Sequence, residues 1–281
     1  MRSLASVVCV FGLVACATTA PAADVTTAPV IAAERAFAAR AAEVGWVQAF
    51  RAFVAPDGVL LSSAPVKAPE RLAQLTDTGD RTLAWWPAYA GIARSGDIGF
   101  TTGPVLSGDE TEVALHYFTV WRRQRDGAWK WIFDGGVRVA DPAPLSRTQH
   151  DIPTLAVATG GAGSSQAAIA QVVELERTHP TAAAALPLLG ETVRINRPGL
   201  APGIGRSGAA AMLASPARDI TYAPFSAQGS LAGDLVVTIN EARWTSEGVA
   251  RLGYTVRVWQ WQDGVWRIVF DELAPVRPRP P

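Results

Sequence analysis

Cysteine is almost absent from this chain of 281 residues, which has only Cys9 and Cys16, both near the N-terminus. No disulfide can therefore hold the main body of the chain together, and its stability has to come from packing. The three histidines are scattered, and neither an HExxH nor a CxxC motif occurs. These absences argue against a zinc site, and we expect neither a metal nor another cofactor.

An excess of charge of either sign is also lacking, because 25 basic residues balance 25 acidic ones. Proteins that bind nucleic acid concentrate Lys and Arg on one surface, so nucleic acid is not an expected partner. No GxSxG elbow occurs. The glycine-rich residues 199–208 lack the Gly-Lys-Ser/Thr of a phosphate-binding loop.

Long apolar runs are missing except for residues 4–14, which follow an Arg. This run is too short to span a bilayer as a permanent helix and is typical of a secretory signal peptide. Its end, Leu13-Val14-Ala15-Cys16, resembles the lipobox of bacterial lipoproteins, in which the cysteine takes a diacylglyceryl group. The alternative is an ordinary signal peptide that is cut a few residues later, for instance after Ala23.

The lipobox resemblance implies that Cys16 is lipidated and becomes the first residue of the mature protein. Ala17 rather than Asp follows it, which implies sorting to the outer membrane of a Gram-negative bacterium. We therefore expect a periplasmic protein that is attached to the membrane through a lipid anchor at Cys16.

Two stretches of the chain, residues 116–136 and 253–272, read alike. In each, two runs rich in aromatic and β-branched residues meet at an Asp-Gly pair, which is typical of a β-hairpin turn. Matching residues lie 137 positions apart, as in Asp126 and Asp263, Trp129 and Trp266, Phe133 and Phe270, and Asp134 and Asp271. The chain therefore contains two copies of one domain.

The repeat and the composition divide the chain into six segments. They are a signal peptide at 1–16, an Ala/Thr/Pro-rich tether at 17–29, a first domain at 30–140, a linker at 141–165, a second domain at 166–274 and a Pro-rich, disordered tail at 275–281.

The first domain reads as helices followed by a long antiparallel sheet. Apolar residues at three- and four-residue steps predict a helix from Val30 to Ala55 that is bent or divided at Gly45. The later predicted elements are a strand at 59–61, a short helix opening at Pro69, a helical piece at 83–94 and strands at 98–104, 112–124 and 128–139. Both faces of the 112–124 strand are largely apolar, so both faces of the sheet should be covered.

This order of elements resembles the nuclear-transport-factor-2-like superfamily, also called SnoaL-like. The motifs that carry the resemblance lie between residues 34 and 136 and are Glu34-x-x-Phe37, Trp86-Pro87, Ser95-Gly96-Asp97-x-Gly99 and Val120-Trp121-Arg122-x-Gln124-x-Asp126-Gly127-x-Trp129. The resemblance implies an α+β cone, in which helices pack on a curved antiparallel sheet around a pocket. It also implies that the two copies pack through their open sheet faces as a pseudo-dimer within one monomeric chain; separate domains on a flexible linker are the alternative.

The second copy keeps the sheet pattern better than the helices. Residues 166–177 predict a helix, which His179-Pro180 interrupts, and residues 194–208 read as a loop. Phe50 and Phe53 have no counterpart there. We therefore expect any activity in the first domain.

In different branches of this superfamily the pocket holds a small molecule or a hydrophobic partner, and enzymatic members place Asp, His or Tyr inside it. No such catalytic set can be aligned here. Weak catalytic candidates are Asp134 and His116, and the expected ligand contacts are Trp86, Tyr89, Tyr117 and Phe50. Asp97, Tyr222, Tyr254 and Asp271 are further ionisable candidates, although Asp97 better fits the cap of a turn.

We accordingly predict a membrane-anchored protein whose first domain binds a small, partly apolar molecule. The alternatives are an enzyme of the isomerase, dehydratase or hydrolase type and an assembly protein without a small ligand. The pocket distinguishes them, because an ionisable residue deep among apolar walls favours catalysis and a cone filled by side chains favours assembly.

Overall fold

The computed structural model describes residues 24–62, 64–108, 115–140, 151–213 and 219–276. The signal peptide with Cys16, the tether up to residue 23, residues 141–150 of the linker and residues 277–281 of the tail lie outside the described residues.

The first domain, called the first cone below, has three helices and a seven-stranded sheet among its described residues. These elements are α1 (Ala28–Val44), α2 (Trp46–Phe53), β1 (Val54–Leu61), β2 (Pro65–Lys67), α3 (Ala68–Ala73), β3 (Leu83–Trp85), β4 (Tyr89–Ile92), β5 (Ile98–Ser107), β6 (Leu115–Arg123) and β7 (Trp129–Val137). The sheet order is β2-β1-β7-β6-β5-β3, and β4 pairs with β5 farther along that strand.

The second domain, called the second cone, repeats this plan. Its elements are α4 (Ser165–Thr178), α5 (Ala182–Ala185), a 3-10 turn (Leu186–Leu188), β8 (Leu189–Asn196), β9 (Gly203–Ile204), α6 (Gly205–Leu213), β10 (Thr221–Gly229), β11 (Leu235–Ser246), β12 (Val249–Gln262) and β13 (Val265–Pro275). Its sheet order, β10-β11-β12-β13-β8-β9, matches that of the first cone read from the opposite end. Strands β1 and β7 run parallel, and so do their counterparts β8 and β13. The α+β class and the internal repeat are thus confirmed.

The hairpins that revealed the repeat differ by one residue at their turns. In the second hairpin both Asp263 and Gly264 have positive φ, which is the two-residue turn that best fits strand twist. In the first, Gly127 has positive φ and Gln124 N donates to the Ala128 carbonyl across a longer loop. Positions in β6 therefore correspond to positions 138 further on in β12, so that Thr119 opposite Asp134 corresponds to Arg257 opposite Asp271.

Two predicted elements are wrong. Residues 83–94 form β3 and β4 rather than a helix, because Pro87 disfavours helical geometry at Trp86 and both flanking segments pair with β5. Residues 194–208 are not a loop throughout, since they include the end of β8, the short β9 and the start of α6. This part of the chain has too few residues per element for a period to be visible in the sequence.

The two sheets pack face to face through an apolar layer to which both domains contribute. Phe118 of β6 stacks on Phe270 of β13 with 4.1 Å between ring centroids, and Val120 and Val256 lie in the same layer. Burial of these side chains explains why both faces of β6 are apolar. The expected pseudo-dimer within one chain is confirmed.

The Gly-Asp turns of the two domains bind each other reciprocally. Asp97 Oδ2 accepts a hydrogen bond from Leu231 N at 3.0 Å, and Asp234 Oδ2 accepts one from Arg94 N at 2.7 Å. The two bonds are related by the 137-residue repeat, as in the self-complementary interface of a symmetric dimer. Asp97 therefore caps a backbone amide, as its sequence context suggested, but the amide belongs to the other domain.

The described part of the linker is packed onto both domains. Leu155 N donates to the Ala90 carbonyl at 2.9 Å, and Gln260 Nε2 donates to the Ala156 carbonyl at 2.7 Å. Leu155 is buried in the layer between the sheets. The alternative of separate domains on a flexible linker is wrong for this structure.

Replacing Phe270 tests the layer between the sheets. Phe270→Ala should lower the free energy of unfolding by about 3–5 kcal/mol, because it leaves a cavity against Phe118. Phe225→Ala is the matched control, since Phe225 is 59% exposed, and it should cost less than about 1 kcal/mol. Equal losses in urea denaturation would show that the sheets do not depend on each other.

Candidate functional site

A cavity of about 300 Å³ opens inside the first cone, between the helices and the inner face of the sheet. Most of its wall is apolar and comes from α1, α2, β1, β3, β5 and β6: Phe37, Trp46, Phe50, Leu60, Leu61, Leu83, Trp85, Val105 and Leu115. The polar part comes from neighbouring positions of β6 and β7: Tyr117, Thr119 and Asp134, followed by Gly135 and Gly136.

Aromatic rings from α1, α2 and β3 form part of the apolar wall. The Phe37 ring lies 4.8 Å from that of Phe50 and 5.0 Å from that of Trp85, both in edge-to-face geometry. Trp46 meets Phe50 in the same way at 5.6 Å. Edge-to-face contacts hold these rings in place, so the wall is largely preformed.

The polar end of the cavity is centred on Thr119 of β6 and Asp134 of β7, which lie opposite each other on these adjacent strands. Thr119 Oγ1 donates to Asp134 Oδ2 at 2.8 Å, and Asp134 is 7% exposed. Burial raises the pKa of Asp134 well above its usual range, the Thr119 hydrogen bond opposes this, and the charges of Glu34 and Glu272 add to the rise. The carboxyl is thereby favoured in its neutral, protonated form.

A second carboxyl, Glu34 of α1, lies fully buried behind the same wall. It accepts hydrogen bonds from Trp85 Nε1 at 2.6 Å, from Trp121 Nε1 at 3.0 Å and from the Thr101 hydroxyl. Burial raises the pKa of Glu34, and the three donors oppose that rise. In the sequence, Glu34 stands out only as part of the Glu34-x-x-Phe37 motif. The available signal was its position on the apolar face of α1, between Val30 and Phe37.

Tyr117 also lines this end of the cavity, and its hydroxyl is buried. The residue is buried, and its Oη has no hydrogen-bond partner in the part of the chain that the structure describes. Burial, together with the charge of Glu34, raises the pKa of Tyr117 well above its usual range. A buried donor without a partner is costly, and this hydroxyl is not itself exposed to the cavity.

The second cone has the same framework, meaning a helix glutamate bound by a threonine and a tryptophan of the sheet, next to a strand aspartate. Arg257 occupies the centre of this framework. Glu176 of α4 accepts from Thr238 Oγ1 at 2.9 Å and from Trp259 Nε1 at 3.0 Å, as Glu34 does from Thr101 and Trp121. Where the first cone has Thr119, the second has Arg257, which reaches Glu176 at 2.6 Å and Asp271 at 2.9 Å.

Arg257 is enclosed by further groups. Its guanidinium lies 4.0 Å from the ring centre of Tyr222, and Arg197 reaches the Asp271 carboxylate at 3.0 Å. Burial would raise the pKa of Asp271, but the charges of Arg197 and Arg257 outweigh it and lower that pKa. The corresponding carboxyls of the two cones, Asp134 and Asp271, are thus shifted in opposite directions.

The structure brings three of the six residues selected from the sequence to the cavity, namely Phe50, Tyr117 and Asp134. Tyr89 lies instead between the sheets, with the Arg194 guanidinium 4.1 Å from its ring centre. His116 is on the opposite face of β6 from Tyr117 and Thr119, because side chains alternate along a strand.

Trp85, not its neighbour Trp86, lines the cavity, because the pairing of β3 with β5 determines which side chain faces inward. Of the remaining candidates, Tyr222 and Asp271 lie in the second cone, and Tyr254 lies in the layer between the sheets.

Among the described residues, no group of three or more His, Cys, Asp and Glu side chains is placed to hold a metal ion. No helix in the same residues is long and apolar enough to cross a membrane.

Comparison with known proteins finds no matching family model and no similar curated protein. Solved structures that match include an NTF2-like protein of unknown function from Pseudomonas putida KT2440, at 13% identity, 40% of this chain, 89% of that chain and a TM-score of 0.32. A LEH-like epoxide hydrolase of M. tuberculosis matches at 16% identity, 39% of this chain, 84% of that chain and a TM-score of 0.31.

A ketosteroid isomerase-like protein from Erwinia carotovora atroseptica SCRI1043 matches at 14% identity, 41% of this chain, 95% of that chain and a TM-score of 0.33. Each match spans about one of the two domains. Similarity this low does not bear on what this chain binds or does.

Glu272 of β13 is a buried carboxyl of the second domain that acts electrostatically on Asp134 of the first. Asn196 Nδ2 donates to its Oε2 at 2.9 Å, and its charge is one of those that raise the pKa of Asp134. Burial raises the pKa of Glu272 to about 8, against the Asn196 hydrogen bond and the charge of Arg197, which lower it.

Glu272 should make the protein less stable as pH rises. Its folded pKa lies above its unfolded one, so its favourable contribution is complete below about pH 4.5 and is lost towards pH 8. Between pH 5 and pH 8, the unfolding free energy of the unchanged protein should fall by about 3 kcal/mol more than that of the Glu272→Gln variant. Glu43→Gln, on the exposed side of α1, should leave the slope unchanged. Identical slopes for all three proteins in denaturant titrations would contradict a buried neutral Glu272.

Proposed function

We propose that the first domain binds a small, largely apolar molecule in the cavity of its cone. The observation that carries this proposal is the contrast between the cones: Arg257 fills the centre of the second cone, and Thr119 leaves the same position open in the first. Protein interiors are close-packed, and an apolar pocket with a few converging polar groups is the usual form of a ligand site.

The polar end of the cavity would orient the ligand. Asp134, Thr119 and Tyr117 line one end, and aromatic and aliphatic side chains line the rest of the wall. A molecule with an apolar body and one polar group fits this distribution.

Thr119→Arg is expected to abolish binding without unfolding the protein. The new guanidinium would meet Asp134 and Glu34 as Arg257 meets Asp271 and Glu176. The measurement is fluorine NMR with trifluoromethylphenyl fragments that carry an amine, amide, hydroxyl or carboxylate group. Fragments that bind the unchanged protein should lose at least about tenfold in affinity.

Thr119→Ser is the matched control, because it keeps the hydroxyl that donates to Asp134 and adds no bulk. Its fragment binding should stay close to that of the unchanged protein. The proposal fails if no fragment binds the unchanged protein, or if a folded Thr119→Arg variant binds as well as the control does.

An enzyme is the second candidate, because Asp134 combines burial, a raised pKa and a place at the cavity. A carboxyl in this state could take part in proton transfer in an isomerase, dehydratase or hydrolase. A molecule that co-purifies with the protein and is detected by native mass spectrometry would distinguish the two. A binding protein should leave the molecule chemically unchanged. An enzyme should convert it, and the Asp134→Asn variant should not.

The assembly role would require a cone that is filled by side chains, which describes the second cone but not the first.

We also propose that a lipid on Cys16 anchors the protein in the periplasm, at the outer membrane. The support is the lipobox-like residues 13–16 after an apolar run. Cys16→Ser should move the protein from the detergent phase to the aqueous phase of a Triton X-114 extract of the cells that produce it. Unchanged partitioning of the variant would overturn the anchor. Cys9→Ser, within the same segment, is the control and should stay in the detergent phase.

A further inference from the structure

The second cone shows which chemical group complements the framework that both cones share. Its two buried carboxylates, Glu176 and Asp271, hold one guanidinium between them, at 2.6 and 2.9 Å. Tyr222 packs against the same guanidinium at 4.0 Å, in cation–π geometry. The group that occupies the centre of this framework is thus a planar organic cation.

The first cone keeps the carboxyls and lacks the cation at the corresponding position. Glu34 and Asp134 occupy the places of Glu176 and Asp271, and their donors are hydroxyl and indole groups. Two buried acids without a cation are unfavourable as a charged pair, because neither charge is compensated in a low dielectric. In agreement, Asp134 is shifted towards its neutral form and Asp271 towards its charged form.

The cavity also provides the surroundings that a cation prefers. Phe37, Phe50 and Trp85 form its wall within one continuous set of edge-to-face contacts. Aromatic faces next to a carboxylate attract ammonium and guanidinium groups that have left water.

We propose that the ligand of the first cone is an organic cation, an amine or a guanidinium on an apolar body, whose charged group takes the position that the Arg257 guanidinium occupies in the second cone. This inference rests on the proposed binding function and specifies its ligand class. Asp134 is the carboxylate that pairs with the cation. Glu34 is the second carboxyl near the cation, and Thr101, Trp85 and Trp121 hydrogen-bond to it. Thr119, Glu272 and Tyr117 are the other groups whose hydrogen bond or charge acts on Asp134.

The test compares three probes of nearly equal size and shape: phenethylguanidinium, hydrocinnamamide and hydrocinnamate, which are positive, neutral and negative. By isothermal titration calorimetry on the full chain, the cation should bind at least about tenfold more tightly than the amide, and the anion most weakly. Titration in two buffers of different ionisation enthalpy should show proton release with the cation and none with the amide, because Asp134 has to ionise to pair with it.

Asp134→Asn should reduce the affinity for the cation to that for the amide and abolish proton release. Asp263→Asn is the matched control, because it makes the same chemical change at an exposed hairpin turn whose left-handed backbone Asn tolerates. It should keep the preference for the cation.

The outcomes separate the inference from the function on which it rests. If the amide binds as tightly as the cation, or if Asp134→Asn keeps the preference, the cation inference is overturned and the binding function stands. If none of the probes binds and the fluorinated fragments also fail to bind, both are overturned. A preference for the cation that Asp134→Asn removes and Asp263→Asn keeps supports both.

Discussion

The rest of the structure depends on the hydrogen bonds that a buried glutamate on the first helix of each domain accepts from the sheet. Glu34 and Glu176 each accept hydrogen bonds from a threonine hydroxyl and from the indole N–H of the corresponding tryptophan, Trp121 or Trp259, at 3.0 Å in both domains. Such bonds fix the depth and rotation of a helix on its sheet, because burying a carboxyl is tolerated only where its donors are in place. The helix position in turn determines whether the centre of the cone is open.

The same sheets must also be covered on their outer faces, because apolar side chains alternate to both sides of β6 and β12. In each domain the helices cover one face, and the other domain covers the second. Fusion of the two copies makes this cover intramolecular. It also places Glu272 of the second domain close enough to influence Asp134 of the first, so the second domain contributes to the site even though its own centre is filled.

The sequence was sufficient where a signal is local and repeated. The Asp-Gly hairpins, the division at Gly45 and the two-sided apolar pattern of β6 led to the α+β class, the repeat and the pseudo-dimer. The sequence was insufficient where pairing between strands that are distant in the chain determines the local structure. Strands β3 and β4 replaced a predicted helix because β5 provides their hydrogen-bond partners, and the same pairing turned Trp85 rather than Trp86 into the cavity. Glu34 was overlooked as a site residue because its donors lie 51, 67 and 87 residues away.

The repeat supplies an internal comparison that a single domain could not. Between the cones, the helix glutamate, the strand threonine, the strand tryptophan and the strand aspartate are kept, while Thr119 is replaced by Arg257 and Gly136 by Leu273. A long side chain in place of Thr119 fills space in the cone and supplies a counter-charge at the same time. The residue at the position of Thr119 and Arg257 therefore contributes to the difference between a closed, self-compensated cone and an open one that has to find its compensation elsewhere, by retaining a proton or by binding a ligand.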